Sequence, residues 1–291
     1  MAQHIQTPLQ PTALRAADDR RTAWLFFGLM HLSLLGVFFV GWSWIALAVM
    51  VAMYVIRMFA ITGFYHRYFS HRSFKTSRIA QFIFGFWGAT AAQQGPLWWA
   101  AHHRHHHQHS DQPQDLHSVK QSGFFHAHMG WVTENAETRY ERIPDWTKFP
   151  ELMWLEKYHL LAPVVAGAAM FGLGELLSGF GTSGLQMLIW GFFVSTVLLY
   201  HGTFSINSLS HVWGSRRYAT KDDSRNNFWL ALITLGEGWH NNHHYYATST
   251  RQGFFWWEID LTYYGLWGMS KLGLVWDFKT VPERLKHKTS A

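Results

Sequence analysis

Residues 44–71 read WIALAVMVAMYVIRMFAITGFYHRYFSH, and the point where the apolar run gives way decides the fold. Residues 44–62 carry one charge, Arg57, and are about as long as the ~20-residue helix that spans the hydrocarbon of a bilayer. Beyond them His66 and His71 form a His-x4-His pair beside Arg67 and Arg72. The reading is a membrane helix that delivers two histidines just past its end.

Working outward, residues 22–40 form a second apolar run, joined to the first by Gly41-Trp42-Ser43. Residues 160–177 and 185–206 form another pair, joined by residues 178–184. Neither connector holds Lys or Arg. Short cytoplasmic segments concentrate those residues, and here they lie at Arg15, Arg20 and Arg21, between Arg67 and Lys157, and from Arg216 onward. The expected architecture is an all-α integral membrane protein: four transmembrane helices in two hairpins, both termini cytoplasmic, under a cytoplasmic helical cap. Residues 1–21 are then an N-terminal arm, 22–62 the first hairpin, 63–159 a cytoplasmic region, 160–206 the second hairpin and 207–291 a C-terminal cytoplasmic region, all one functional domain. Residues 79–101 are apolar enough to cross, but a crossing there would separate the histidines on its two sides, and Gln81, Gln93, Gln94 and Pro96 weaken it. A buried or interfacial helix is expected instead. Arg57 is expected to snorkel or pair near the cytoplasmic end of its span, and Glu175 to lie near the outer end of its own.

Composition agrees. Only 14% of the chain is charged, against about 25% in soluble domains, and 18% is aromatic. Disorder is excluded, and lipid is part of the solvent. No cysteine is present, which excludes disulfides, thiolate-bound zinc and iron–sulfur clusters. Any metal must sit on His, Asp, Glu or Asn. The net charge of +6 marks topology rather than a nucleic-acid partner. The arm lacks a short apolar core and an A-x-A-like cleavage site, so no removable signal peptide is expected. Residues 179–184 match G-x-G-x-x-G, yet no strand precedes them, and a connector is the better reading.

The 20 histidines are not scattered. His103, His106 and His107 form His-x-x-His-His within residues 102–109, and the same spacing recurs at His240, His243 and His244. On a helix, positions i, i+3 and i+4 share a face, so each triplet can turn at least two imidazoles to one point. His211 follows the last apolar run on the same side. Eight or nine imidazoles are too many for one ion and imply two. Imidazole suits zinc, iron, copper and nickel alike; a site at the membrane face suits a lipid substrate, and oxidising an unactivated C–H bond calls for iron and dioxygen. His31 and His201, inside spans, read as hydrogen-bonded helix-interface residues, and His4, His159 and His287 as solvated or interfacial ones. The tryptophans read as interface anchors and packing groups rather than a substrate cage.

The order of these motifs resembles that of the membrane-bound fatty acyl desaturases of the stearoyl-CoA (Δ9) group, bacterial type. The matching strings begin at His66 (HRYFSHR), Trp99 (WAAHHRHHH), Gly123 (GFFHAHMGW), Asn207 (NSLSH) and Gly236 (GEGWHNNHH), and the resemblance covers about residues 22–260. It implies two ferrous ions held by His66, His71, His103, His106, His107, His211, His240, His243 and His244, with Asn207 acting through water. It implies an oxygen-dependent enzyme that places a cis double bond, at Δ9, in a saturated acyl chain. Gln93, Trp99 and Thr203 match residues at the bend of the family's acyl tunnel. Electrons must come from a separate donor, ferredoxin-like or flavoprotein-linked, because the chain has no flavin fingerprint, cysteine cluster or fused haem domain. That shortness, with no ER-retrieval signal, points to a bacterial inner membrane.

The chain departs from the animal acyl-CoA enzymes where those carry Arg-Asp and Arg-Lys pairs suited to CoA. The matching positions here are Ala101 and His102, then Asn135 and Ala136. Either Arg72, Lys75 and Arg78 hold CoA, or the acyl chain arrives on a phospholipid. Two other functions compete: a di-iron alkane or lipid hydroxylase, whose middle box is often His-x3-His-His, and a His-rich membrane metal transporter or metal-binding protein, which would need paired ionisable ligands at mid-membrane depth.

Overall fold

The computed structural model describes residues 20–134 and 138–287, so most of the N-terminal arm, and Asn135 and Ala136, lie outside the described residues. Three helical segments are long and apolar enough to cross a membrane: Thr22–Val40 (α1), Trp44–Ser70 (α2) and Gly184–His211, which is α8 below. Between them run α3 (Arg78–Ala89), α4 (Pro96–His109), α5 (Phe124–His128), α6 (Pro150–Lys157) and α7 (Leu161–Leu176). After α8 come α9 (Phe228–Ile233), α10 (His240–Tyr245) and α11 (Leu261–Lys271). The two short strands, β1 (Lys75–Thr76) and β2 (Val275–Trp276), pair antiparallel. Helix α7 reaches spanning length only together with α6, from which it is bent by 66°.

Local capping and side-chain ties close the two connectors. Gly41 has φ +63°, a conformation without penalty only for glycine, and the Ser43 hydroxyl caps α2 by accepting from Ala46 N at 3.1 Å. The Ser183 hydroxyl caps α8 in the same way, through Gln186 N. Glu175, near the end of α7, accepts from Gly184 N at 2.9 Å and so ties the second connector closed. Gln186 accepts from Ser43 and donates to Val40 O, which joins the two connectors to each other.

Three features differ from the sequence reading. Helix α2 does not stop at residue 62; it continues as a π-helix from Ala60 to Ser70, so His66 rides on the membrane helix itself. The region 79–101 is two helices broken by a turn at residues 90–95, and neither is of spanning length. Arg57 does not snorkel. It is fully buried, its guanidinium donating to Thr196 Oγ1 (2.6 Å), Thr90 O (3.3 Å), Phe192 O (3.4 Å) and Ser195 Oγ, with Nε on Met53 O (3.2 Å).

Polar clamps fix the helix ends against one another. Arg67, fully buried, holds Asp260 and Glu237 and donates to Thr250 O. Arg104, on α4, holds Asp145 with two hydrogen bonds and donates to the carbonyls of Phe69 and Ser70 at the end of α2. The N-terminus of α4 has Gly95 as its cap, with no side chain to offer; buried Glu156 from α6 supplies the missing acceptor to Leu97 N and Trp98 N. A Cβ on Gly95 would collide with that carboxylate, at 2.0 Å.

Candidate metal centre

The end of α2, α4, the end of α8 and α10 bring nine histidines into two groups. His66, His71, His103, His107 and His243 form one, and His106, His211, His240 and His244 the other, with the ring nitrogens of each group within 4.8 Å of one another. Helical periodicity explains the division. In α4 the i, i+4 pair His103 and His107 serves the first group, and His106 at i+3 serves the second. In α10 the roles exchange: His240 and His244 serve the second group and His243 the first. Two crossed copies of one spacing therefore make two pockets.

The fit to a cation can be tested on the rings. In the five-histidine group, Nε2 of His71 lies 2.8 Å from Nε2 of His103, His107 3.0 Å from His103, His243 2.9 Å from His107 and 3.0 Å from His66. Adjacent ligands on a metal–imidazole bond of ~2.1 Å stand about 3 Å apart at right angles. Neutral imidazole has one N–H, so five converging Nε2 atoms cannot all be satisfied by one another. In the second group the His244 Nε2 atom is buried with no hydrogen-bond partner, while its Nδ1 is engaged by Asp222. The donors suit a metal.

Outer carboxylates orient the rings, and the sequence reading did not anticipate them. His106 Nδ1 meets Asp115 at 3.0 Å, His211 Nδ1 meets Asp111 at 2.9 Å, His244 Nδ1 meets Asp222 at 2.7 Å, and His66 Nδ1 contacts Glu237. Each such contact fixes the tautomer that leaves Nε2 free. Asp111 sits at φ +59° and holds Ser118 and the Asp223 amide as well, so the loop after α4 is braced around its carboxylate. Signals for these residues existed only as acidic residues in short loops near the boxes.

Burial, and then the neighbouring imidazoles, hold His71, His103, His107, His240 and His243 well below the ordinary imidazole value, so they stay neutral and able to ligate. Burial takes His244 down to about 4 against the pull of Asp222. For His106, burial lowers but Asp115, Asp222 and Asp111 outweigh it, and its pKa rises. The carboxylates answer in kind: burial opposes, yet His211 and backbone donors bring Asp111 down to about 2, and Asp115 and Asp222 lie lower still.

Beside the two groups lies a cavity of about 260 Å³. His66, His103, His106 and His240 reach its wall, as do Asn207, Gln93, Trp99 and Thr203. The last three touch: Gln93 Nε2 donates to Thr203 Oγ1 at 2.9 Å and accepts from Trp99 Nε1 at 3.4 Å. The lining also takes in the membrane-helix residues Thr22, Ala23 and Phe26, with Leu160 and His159, and no Lys or Arg among the described residues. His159, expected as solvated or interfacial, is half-buried in this wall, and Trp98, Trp99 and Trp131, expected as anchors and packing groups, line it too. Trp98 and Trp131 stack at 6.1 Å, and His102 stacks on Trp98 at 4.3 Å. Outside the centre, His31 Nε2 lies 3.1 Å from His201 Nε2, as a helix-interface pair would, and His201 Nδ1 lies 3.0 Å from His128, a partner the spacing did not show.

Comparison with known proteins follows the same lines. Residues 41–276 match the fatty acid desaturase family. The chain is 36% identical to the sn-2 palmitoyl-lipid 9-desaturase of Nostoc sp. (strain 36), over 86% of this chain and 87% of the relative. It is 35% identical to the sn-1 stearoyl-lipid 9-desaturase of Anabaena variabilis, over 89% and 94%. Against the icosanoyl-CoA 5-desaturase of Limnanthes douglasii it is 32% identical, over 94% and 76%. With most of its length covered at this identity, the chain belongs to the fatty acid desaturase family.

Proposed function

We propose that this protein is a di-iron acyl-lipid desaturase, which uses dioxygen and two externally supplied electrons to set a cis double bond at Δ9 of an acyl chain carried on a membrane lipid. The observation that carries the reading is the shared wall: both histidine groups border one largely apolar cavity. The balanced reaction takes –CH2–CH2–, O2, two electrons and two protons to –CH=CH– and two waters. Bound iron, held by the nine histidines with Asn207 through water, would supply oxygen activation. The protein's own part is geometric, since identical methylenes can be told apart only by their distance and orientation along a fixed path. Gln93, Trp99 and Thr203 shape that path beside the metal centre.

The carrier follows from charge. Arg72, Lys75 and Arg78, the bases available for CoA, already face Asp145 (3.5 Å), Asp277 (2.7 Å) and Glu151 (2.6 Å). His102 and Ala101 stand where a phosphate-binding charge would be needed, and the cavity lining contains membrane-helix residues rather than cations. A substrate that arrives from the bilayer suits such a lining. Four spans in two hairpins, with both termini and the metal centre on the cytoplasmic side of a bacterial inner membrane, complete the reading; a separate ferredoxin-like or flavoprotein-linked donor supplies the electrons.

Expression in a host that lacks unsaturated fatty acids, followed by lipid analysis resolved by carrier, tests this. A Δ9 alkene appearing first in intact membrane lipid, with two irons per purified chain, is expected. An alcohol product would indicate hydroxylation, an alkene appearing first on acyl-CoA would overturn the carrier, and zinc in active protein would overturn the di-iron centre.

A further inference from the structure

The turn at residues 90–95, between α3 and α4, is strained and held from outside. Ala92 has φ +56° and Gln94 φ +68°, left-handed conformations that non-glycine residues avoid. Alternate carbonyls of this turn are each taken by a side chain from a membrane helix. Arg57 on α2 donates to Thr90 O at 3.3 Å, Tyr200 on α8 donates to Ala92 O at 2.8 Å, and Tyr65 on α2 donates to Gln94 O at 3.2 Å. The residue between the two strained positions is Gln93, whose amide spans Thr203 and Trp99 at the cavity wall.

A buried guanidinium at membrane depth is costly, and here no carboxylate among the described residues bonds it; its partners are hydroxyls and carbonyls. The arrangement therefore does more than fill space. Tyr65 packs so closely on α3 that a Cβ on Gly88 would lie 2.1 Å from its ring. The turn is fastened to the two helices that also carry His66 and His211, so the position of Gln93 is referred to the metal centre itself.

We infer that Arg57, Tyr65 and Tyr200 are positioning residues that set which methylene pair is oxidised, by clamping the 90–95 turn and with it Gln93. This rests on the desaturase reading above. The clamp acts through the turn: a carbonyl that loses its donor can rotate, the left-handed residues relax, and the Gln93 amide leaves its place against Thr203.

The test expresses wild type, Tyr200→Phe, Tyr65→Phe and Arg57→Met in a host without unsaturated fatty acids and measures the positions of the double bonds in the lipid formed. Each tyrosine change removes one hydroxyl only, and the readout is a ratio within the product, so a lower yield does not obscure it. Wild type is expected to give one position; Tyr200→Phe is expected to raise the share of neighbouring positions by roughly tenfold or more, since misplacement of the order of 1 Å strongly changes reactivity at a given atom. An unchanged ratio in all three variants overturns the positioning role, including the case where yield falls while position stays pure. No alkene from wild type overturns the desaturase reading and this proposal together.

Discussion

The two histidine groups differ in what stands behind them. Among the described residues the five-histidine group has one carboxylate on its rings, Glu237 at His66, and that carboxylate is shared with Arg67. The four-histidine group has three, Asp115, Asp111 and Asp222, one on each of His106, His211 and His244. A carboxylate on the far nitrogen makes an imidazole a stronger donor. The group with fewer rings is thus the group with more carboxylates behind its rings.

Ligand removal breaks this comparison most severely. His106→Ala and His243→Ala are each expected to abolish desaturation while membrane insertion persists. Their iron contents should differ: His106→Ala leaves three imidazoles in its pocket and should retain about one iron, whereas His243→Ala leaves four and should retain nearer two. Near-normal activity in either variant would refute the ligand assignment, and equal iron loss would remove the asymmetry.

The carboxylates offer a finer cut. Asp115→Asn and Asp222→Asn should lower activity or iron affinity by ~10–100-fold, the usual cost of losing such an outer partner. Supplementing the growth medium with iron should restore part of it. Activity within twofold of wild type at low iron would show that these carboxylates only hold loops.

Protonation sharpens the contrast further. In metal-free protein, His71, His103, His107, His240 and His243 resist protonation, while the unfolded chain takes protons up as pH falls through about 6.5. Their contribution is full above that value and is lost below it. His244, held down to about 4, acts with these five, and His106, whose pKa is raised, works in the opposite sense, one group against six. The carboxylate contributions are lost only nearer pH 4 and below, outside this window. The melting midpoint of metal-free protein in detergent should therefore drop between about pH 7.5 and 5.5. An equal or higher midpoint at the lower pH would contradict it.

The smallest effect lies farthest from the metals. Ser43→Ala removes the cap of α2 and the link to Gln186, and should cost about 1 kcal/mol of stability with iron content and product position unchanged.

What could be read from the chain alone follows from where the signal is local. The boxes were legible because His-x-x-His-His and His-x4-His are contiguous, and the apolar runs because bilayer thickness sets their length. The extension of α2 through Ser70 was hidden because His66, Arg67 and Tyr68 interrupt the apolar pattern, although packing against α3 and α4 buries them all the same. Asp111, Asp115 and Asp222 were hidden for a different reason: an outer carboxylate is defined by a distance across the fold. Which partners would hold Arg57 was hidden because Thr196, Ser195 and the carbonyls around it are scattered over the chain.

The exchange of roles between α4 and α10 has a consequence for how the centre comes into being. Each helix contributes to both pockets, so neither pocket can be completed while the other helix is out of place. The four-histidine pocket, which takes two of its rings from α10 and one from α4, is complete only when both helices are in place. By the same geometry, one residue inserted within either box would turn the following ligand by about 100° around its helix, so drift in the length of these two short segments is forbidden even where drift in their composition is not.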